Sequence, residues 1–195
     1  MIAIVWLAII LLVAVGVVLV VRQRRLSPQN EQESPSLKRN VFNLQIGDIV
    51  QYMERDWIVE GKLIYEESGF SWSEYMLQDG DDLRWLSVEE DDTVEVQWLE
   101  PTQVLDISGE PPRELTFAGE TYYREGSGIA NMKRIGTVQR RNAEQCRYYD
   151  YEGEGDNVLS IEDWDGEIEV TVGRTIRPSD LSLLPGEGDR VYRYS

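Results

Sequence analysis

The chain has no histidine and one cysteine, Cys146, in 195 residues. Without histidine, the usual general base, the commonest metal ligand and the usual pH switch are all missing. Ser-His-Asp and Cys-His catalysis are excluded, as are the common His-containing zinc sites. One cysteine cannot form an intramolecular disulfide, so no disulfide framework holds the fold. Positive charge is scarce too, with 19 Lys and Arg against 36 Asp and Glu and a net charge of −17. That balance argues against broad nucleic-acid binding and against lying flat on anionic lipid. Long helical periodicity is absent from Val41 onward.

Aromatic residues are plentiful, with six Trp and ten Tyr. They supply a core and argue against wholesale disorder. Ile2 to Val21 carries no charge. Twenty helical residues span roughly 30 Å, the thickness of a bilayer core. No basic residue precedes this run, and Arg22, Arg24 and Arg25 follow it. Those flanks fit a retained transmembrane helix rather than a cleaved leader, with the N-terminus out and the remainder cytoplasmic. We therefore expect a transmembrane anchor over 1–25 and a flexible tether over 26–43. The tether reading rests on Ser27, Pro28, Ser34, Pro35 and the polar residues between them.

Alternation of period two dominates the body. Strands are expected at 49–52, 57–65, 70–77, 83–89 and 93–99, making a first β-unit over 44–105. A connector follows over 106–114, with Gly109, Pro111 and Pro112. A second β-unit over 115–195, with a C-terminal tail, carries expected strands at 115–124, 129–141, 145–151, 158–162 and 167–172, and one at 190–194. The class is all-β, with two related, roughly five-stranded antiparallel meander or small-barrel units.

One motif occurs twice. Residues 85–96 read WLSVEEDDTVEV, and residues 158–170 read VLSIEDWDGEIEV. Leu86, Ser87, Val88 and Glu89 align with Leu159, Ser160, Ile161 and Glu162. The one-residue difference falls in the turn, where Asp165-Gly166 is the preferred pair for a type I′ hairpin. On this reading Leu86, Val88, Val94 and Val96 point inward, and Ser87, Glu89 and Glu95 point outward.

Several further stretches stand in order: GDIV at 47–50, DWIVEG at 56–61, SWSEYML at 71–77, RWLSVEEDD at 84–92, GETYYREGSGIA at 119–130 and RYYDYE at 147–152. With the repeated motif, they resemble the bacterial domain of unknown function 4178 over most of Leu44 to Pro178. The resemblance leaves out anchor and tether. It implies a setting near membrane, polyamine or envelope-stress functions, and it supplies no activity or catalytic residue to carry over.

Candidate chemistry centres on acids and aromatics. Asp79, Asp81, Asp82 and the run Glu89–Asp92 fail the EF-hand pattern, because Leu83 and Arg84 stand where a ligand and a glycine are needed. Glu89 and Glu95 face each other as a carboxylate pair, but like charges opposite repel and no cleft is indicated. Lys133, Arg134, Arg140 and Arg141 form a basic cluster without a stacking pattern for nucleic acid. Cys146 reads as a small core residue. The expected binding surface is Trp72, Tyr75, Trp85, Trp164, Glu89 and Glu162. No catalytic residue, cofactor or metal is expected. The expected partners are the membrane, through residues 2–21, and a protein. The function expected first is a membrane-anchored, non-catalytic binding or scaffold module acting through protein contacts on a β surface in an envelope-stress setting. The alternative is a domain that binds a small cationic, polyamine-like ligand. A carboxylate-based hydrolase ranks last.

Overall fold

The computed structural model describes residues 38–103, 105, 107, 109–138 and 144–186. The expected anchor, the tether before Lys38 and the expected strand at 190–194 lie outside the described residues. No helix among the described residues is long and apolar enough to cross a membrane. Their one helical turn is a 3-10 turn at Pro178–Asp180.

Among the described residues, eleven strands form one antiparallel sheet. They are β1 Ile49–Tyr52, β2 Arg55–Glu67, β3 Phe70–Asp79, β4 Asp82–Glu90, β5 Val94–Thr102, β6 Glu114–Phe117, β7 Glu120–Gly136, β8 Gln145–Glu152, β9 Asn157–Trp164, β10 Glu167–Ile176 and β11 Ser182–Leu184. The meander β2-β3-β4-β5 joins β10-β9-β8-β7, and β7 returns to pair with β2. Eight strands thus close into a barrel, which leaves those strands no bare edge along the seams. The short strands β1 and β11 extend from the start of β2, and β6 pairs with the start of β7.

Closure covers the inner face of each barrel strand, and outer strands cover much of the opposite face of β2–β5 and β8–β10. One face fills the lumen, with Leu63, Tyr65, Met76, Trp85, Leu99, Ala130, Cys146, Val158 and Trp164 in one cluster. The opposite face of β2–β5 carries Trp57, Val59, Tyr75, Leu77, Leu86, Val88, Val96 and Trp98, packed with Val50 of β1 and with Val41 and Leu44. The opposite face of β8–β10 carries Tyr149, Tyr151, Leu159, Ile161 and Val170, packed with Leu115 of β6 and Tyr122 of β7. Fully burying one such aliphatic or aromatic side chain contributes roughly 1.5–3 kcal/mol. The strands β2 and β7 pass from outer cluster to lumen at β-bulges, between Val59 and Gly61 and between Arg124 and Gly126. A bulge inserts one residue, so the faces exchange beyond it.

Three expectations change. The two expected units do not close separately; each gives four strands to a single barrel. The single strand expected at 115–124 is a hairpin. Ala118 and Gly119 turn at φ 51° and 88°, and β7 then runs unbroken through the region expected to separate two strands. Third, the orientation of the repeated hairpin is reversed. Leu86, Val88 and Val96 are buried, but outside the barrel beneath β1, whereas Val94 is 38% exposed. Ser87 and Glu89 face the lumen. Glu95 stands opposite Glu89 on the same face. The turn expectation holds: Asp165 and Gly166 have φ 56° and 93°, between paired Trp164 and Glu167.

A candidate ligand cavity in the barrel lumen

Strand register brings one set of residue types into the lumen from each half. In the first half Trp72 stands opposite Glu89, and on the next lumen-facing rung Glu74 stands opposite Ser87. In the second half Tyr148 stands opposite Glu162, and Asp150 opposite Ser160. Each quartet is an aromatic facing a glutamate, then an acid facing a serine. All eight residues line one cavity of about 240 Å³, with Gln97, Leu99 and Gly126. The rings of Trp72 and Tyr148 meet at 5.3 Å, edge to face. Tyr65 stacks on Trp72 at 4.8 Å with its ring nearly parallel.

The polar groups are tightly connected. Tyr65, with no exposed surface, donates its hydroxyl hydrogen toward Glu162 at 2.7 Å, with Glu74 at 3.3 Å. One hydroxyl carries one proton, so it serves only one carboxylate at a time. Burial beside those acids pushes the Tyr65 phenol well above its usual range. Tyr148 donates to Glu67 at 2.5 Å, and the Ile129 backbone N–H donates to the same carboxylate at 3.0 Å. Gly128 makes this possible, because a Cβ there would occupy the space of the Glu67 carboxylate.

Asp150 accepts a hydrogen bond from Ser160 at 2.7 Å. Water reaches its side chain, yet protein surrounds it. Partial loss of hydration among those neighbours, then the negative field of Glu162, Glu89 and Glu95, pushes its carboxyl up to about 7 despite the Ser160 bond. Glu89 is also raised, by burial first and then by Glu95 and Asp91. The lumen therefore holds carboxylates whose charge is destabilised by their neighbours, a condition that an added cation relieves.

A second, larger cavity of about 470 Å³ lies at one end of the barrel. Leu63, Met76, Leu83 and Trp85 form its apolar wall, and Gln78, Thr102, Glu167 and Glu169 are among its polar groups.

The six residues of the expected binding surface separate. Trp72, Glu89 and Glu162 line the acidic cavity. Trp85 lines the larger one. Trp164 packs in the lumen core, 6.2 Å from the Tyr65 ring. Tyr75 is fully buried on the opposite face, where Lys62 donates to its hydroxyl at 3.0 Å. The six residues therefore do not share one surface patch, and the candidate cavity is internal. Sequence reasoning missed Glu74, Ser87, Asp150, Ser160 and Tyr65. The available signal was an acid at matching positions of SWSEYML and RYYDYE, each on an aromatic-rich strand.

Two acids of the first candidate cluster are held in ion pairs. Asp79 and Asp82 both pair with Arg55, at 2.6 and 2.7 Å. Among the described residues no three His, Cys, Asp or Glu side chains are gathered as a metal site. Lys133 is exposed and Arg134 half-buried on β7, while Arg140 and Arg141 lie outside the described residues.

Comparison with known proteins gives lineage without activity. An uncharacterized protein of Mycobacterium tuberculosis is 28% identical over 148 residues, covering 71% of this chain and 70% of that protein. An uncharacterized protein of Aquifex aeolicus is 22% identical over 166 residues, covering 80% of this chain and 92% of that protein. No solved structure matches the chain. The family model described as a domain of unknown function, DUF4178, matches residues 45–178, the span that builds most of the barrel and both lumen quartets, and the chain belongs to that family.

Proposed function

We propose that the barrel binds a small organic cation in the acidic lumen cavity. The observation that carries this is the convergence of Glu74, Glu89, Asp150 and Glu162 with Trp72 and Tyr148 around one cavity of about 240 Å³. Carboxylates supply charge complementarity, and aromatic walls supply cation–π attraction and exclude water. The volume lies below the roughly 300–1,000 Å³ usual for drug-sized ligands, which fits a small amine. Calorimetric titration of the full chain in detergent with spermidine and putrescine tests the reading. Saturable heat that weakens in Glu89→Gln supports it; no heat from either amine overturns it.

A second reading, a scaffold working through protein contacts, has its own support on the outer face of β7. Ile129 and Ile135 are each about half exposed there, at 48% and 49%. Crosslinking in native membranes from the wild type and from Ile129→Lys and Ile135→Lys variants tests it. A specific crosslinked protein lost in the variants supports contact through this strand.

In both readings the barrel is held at a membrane by residues 2–21, with the domain on the cytoplasmic side. The charge-free run and the arginines after it support that placement. The two halves are read as copies of one unit, supported by the matched hairpins and the matched lumen quartets. Protease protection in intact cells tests the topology, since a domain digested from outside contradicts it.

A further inference from the structure

The acids of the lumen are not scattered. They come as two equivalent sets, and the sets carry more than acids. On one rung Trp72 opposes Glu89, and Tyr148 opposes Glu162. On the next rung Glu74 opposes Ser87, and Asp150 opposes Ser160. The two aromatic members touch each other, at 5.3 Å between ring centroids. The strands that join the halves also correspond: β2 pairs with β7 and β5 with β10, each antiparallel. Two meanders joined in this way are related by an approximate two-fold axis. One cavity contains all eight quartet residues, so it spans that axis.

From this pairing, and resting on the proposal that the lumen binds a cation, we propose that the ligand is a dication: a linear diamine with an ammonium group at each end. Each half supplies a glutamate, a second acid, a serine hydroxyl and an aromatic ring, and the acids meet across the halves: Glu74 and Glu162 flank the Tyr65 hydroxyl, and Glu89 acts on Asp150, so each ammonium group meets one acid from each half. The methylene chain between the ammonium groups lies in the middle of the cavity, against Trp72 and Tyr148. A monoamine of the same length satisfies one such pair of acids and leaves its apolar end facing the other. Burying an apolar end against carboxylates forfeits their hydration without a replacement partner. The walls, not the acids alone, make this a selective site, because the rings and the cavity volume of about 240 Å³ limit what fits between the two pairs of acids.

The experiment compares putrescine with n-pentylamine, which replaces one ammonium group by a methyl group, on the full chain in detergent by calorimetry. The expected result is one putrescine per chain, bound about tenfold or more tighter than n-pentylamine, the equivalent of one charge-assisted hydrogen bond. Glu89→Gln and Glu162→Gln are each expected to weaken putrescine by similar factors and to reduce its advantage over n-pentylamine. Equal affinity for the two amines, or two n-pentylamine molecules per chain at putrescine-like affinity, overturns the dication and leaves cation binding standing. A loss in only one of the two variants, with both folded by circular dichroism, overturns the equivalence of the halves. The ligand comparison needs only the wild-type chain, so misfolding of a variant does not remove the test. If neither of these amines nor spermidine binds, the cation-binding proposal itself falls.

Discussion

Asp150 and Ser160 stand opposite each other on neighbouring lumen strands, joined by a 2.7 Å hydrogen bond from the serine hydroxyl to the carboxylate. Their counterparts in the other half are Glu74 and Ser87. Asp150 is nevertheless pushed up to about 7, so surrounding protein and neighbouring acids outweigh the hydroxyl.

That balance sets a pH dependence. The folded carboxyl is raised above its usual value of 3.8, so between about 4 and 7 the native state holds a proton that the unfolded chain has released. Stability from this group is full below its unfolded pKa and is lost as pH rises through 7. Asp150→Asn is expected to flatten urea stability between pH 5 and 8 and to leave the variant more stable than wild type at pH 8. An unchanged pH profile contradicts this placement of Asp150. Putrescine affinity in the wild type is expected to rise over the same interval as the carboxyl ionises.

The reversed hairpin orientation predicts unequal costs within one motif. Leu86, fully buried beneath β1, is expected to lose about 2–5 kcal/mol on substitution by alanine. Val94, 38% exposed, is expected to change stability by about 0.5 kcal/mol or less. Denaturant titration of the two variants measures both. Equal losses contradict the assignment of faces.

The seam between β5 and β10 depends on a missing side chain. Gly173 lies opposite Leu99, and a Cβ added there would overlap the Trp98 carbonyl oxygen. Backbone cannot rotate away as a side-chain tip does, so Gly173→Ala is expected to cost about 1–3 kcal/mol or more through overpacking. Thermal unfolding measures this, and a wild-type melting point shows that the seam is looser than described.

Asp48 ties the two ends of the described chain together. It is 1% exposed, pairs with Arg39 at 2.6 Å, and accepts the backbone N–H groups of Gln45 and Gly186, each at 2.8 Å. Asp48→Ala strands a largely buried guanidinium and two donors, with an expected loss of about 3–5 kcal/mol. Hydrogen exchange is expected to rise at β1 and β11 before the barrel strands. Uniform protection would mean that these ends are held independently of Asp48.

Alternation alone determined much about this protein. It marked β1, β3, β4 and β8 to within a few residues, because each strand carries two different faces and side chains alternate between them. Asp165-Gly166 determined its turn, because the residues that tolerate positive φ are few. Missing histidine and scarce cysteine excluded whole classes of chemistry before any fold was known. Tertiary structure decided which face is which. In a closed barrel with β1, β11 and β6 packed outside, both faces of β4 are covered, so Leu86 and Ser87 are each inside something. In this hairpin Leu86 and Val88 went under the outer strands, and Ser87 and Glu89 went into the lumen. Alternation contains no information about that choice, because it records the difference between two faces and not what covers each. Pairing of β7 with β2 and of β5 with β10 made the choice, and it turned the acids expected at a solvated surface into the wall of a cavity.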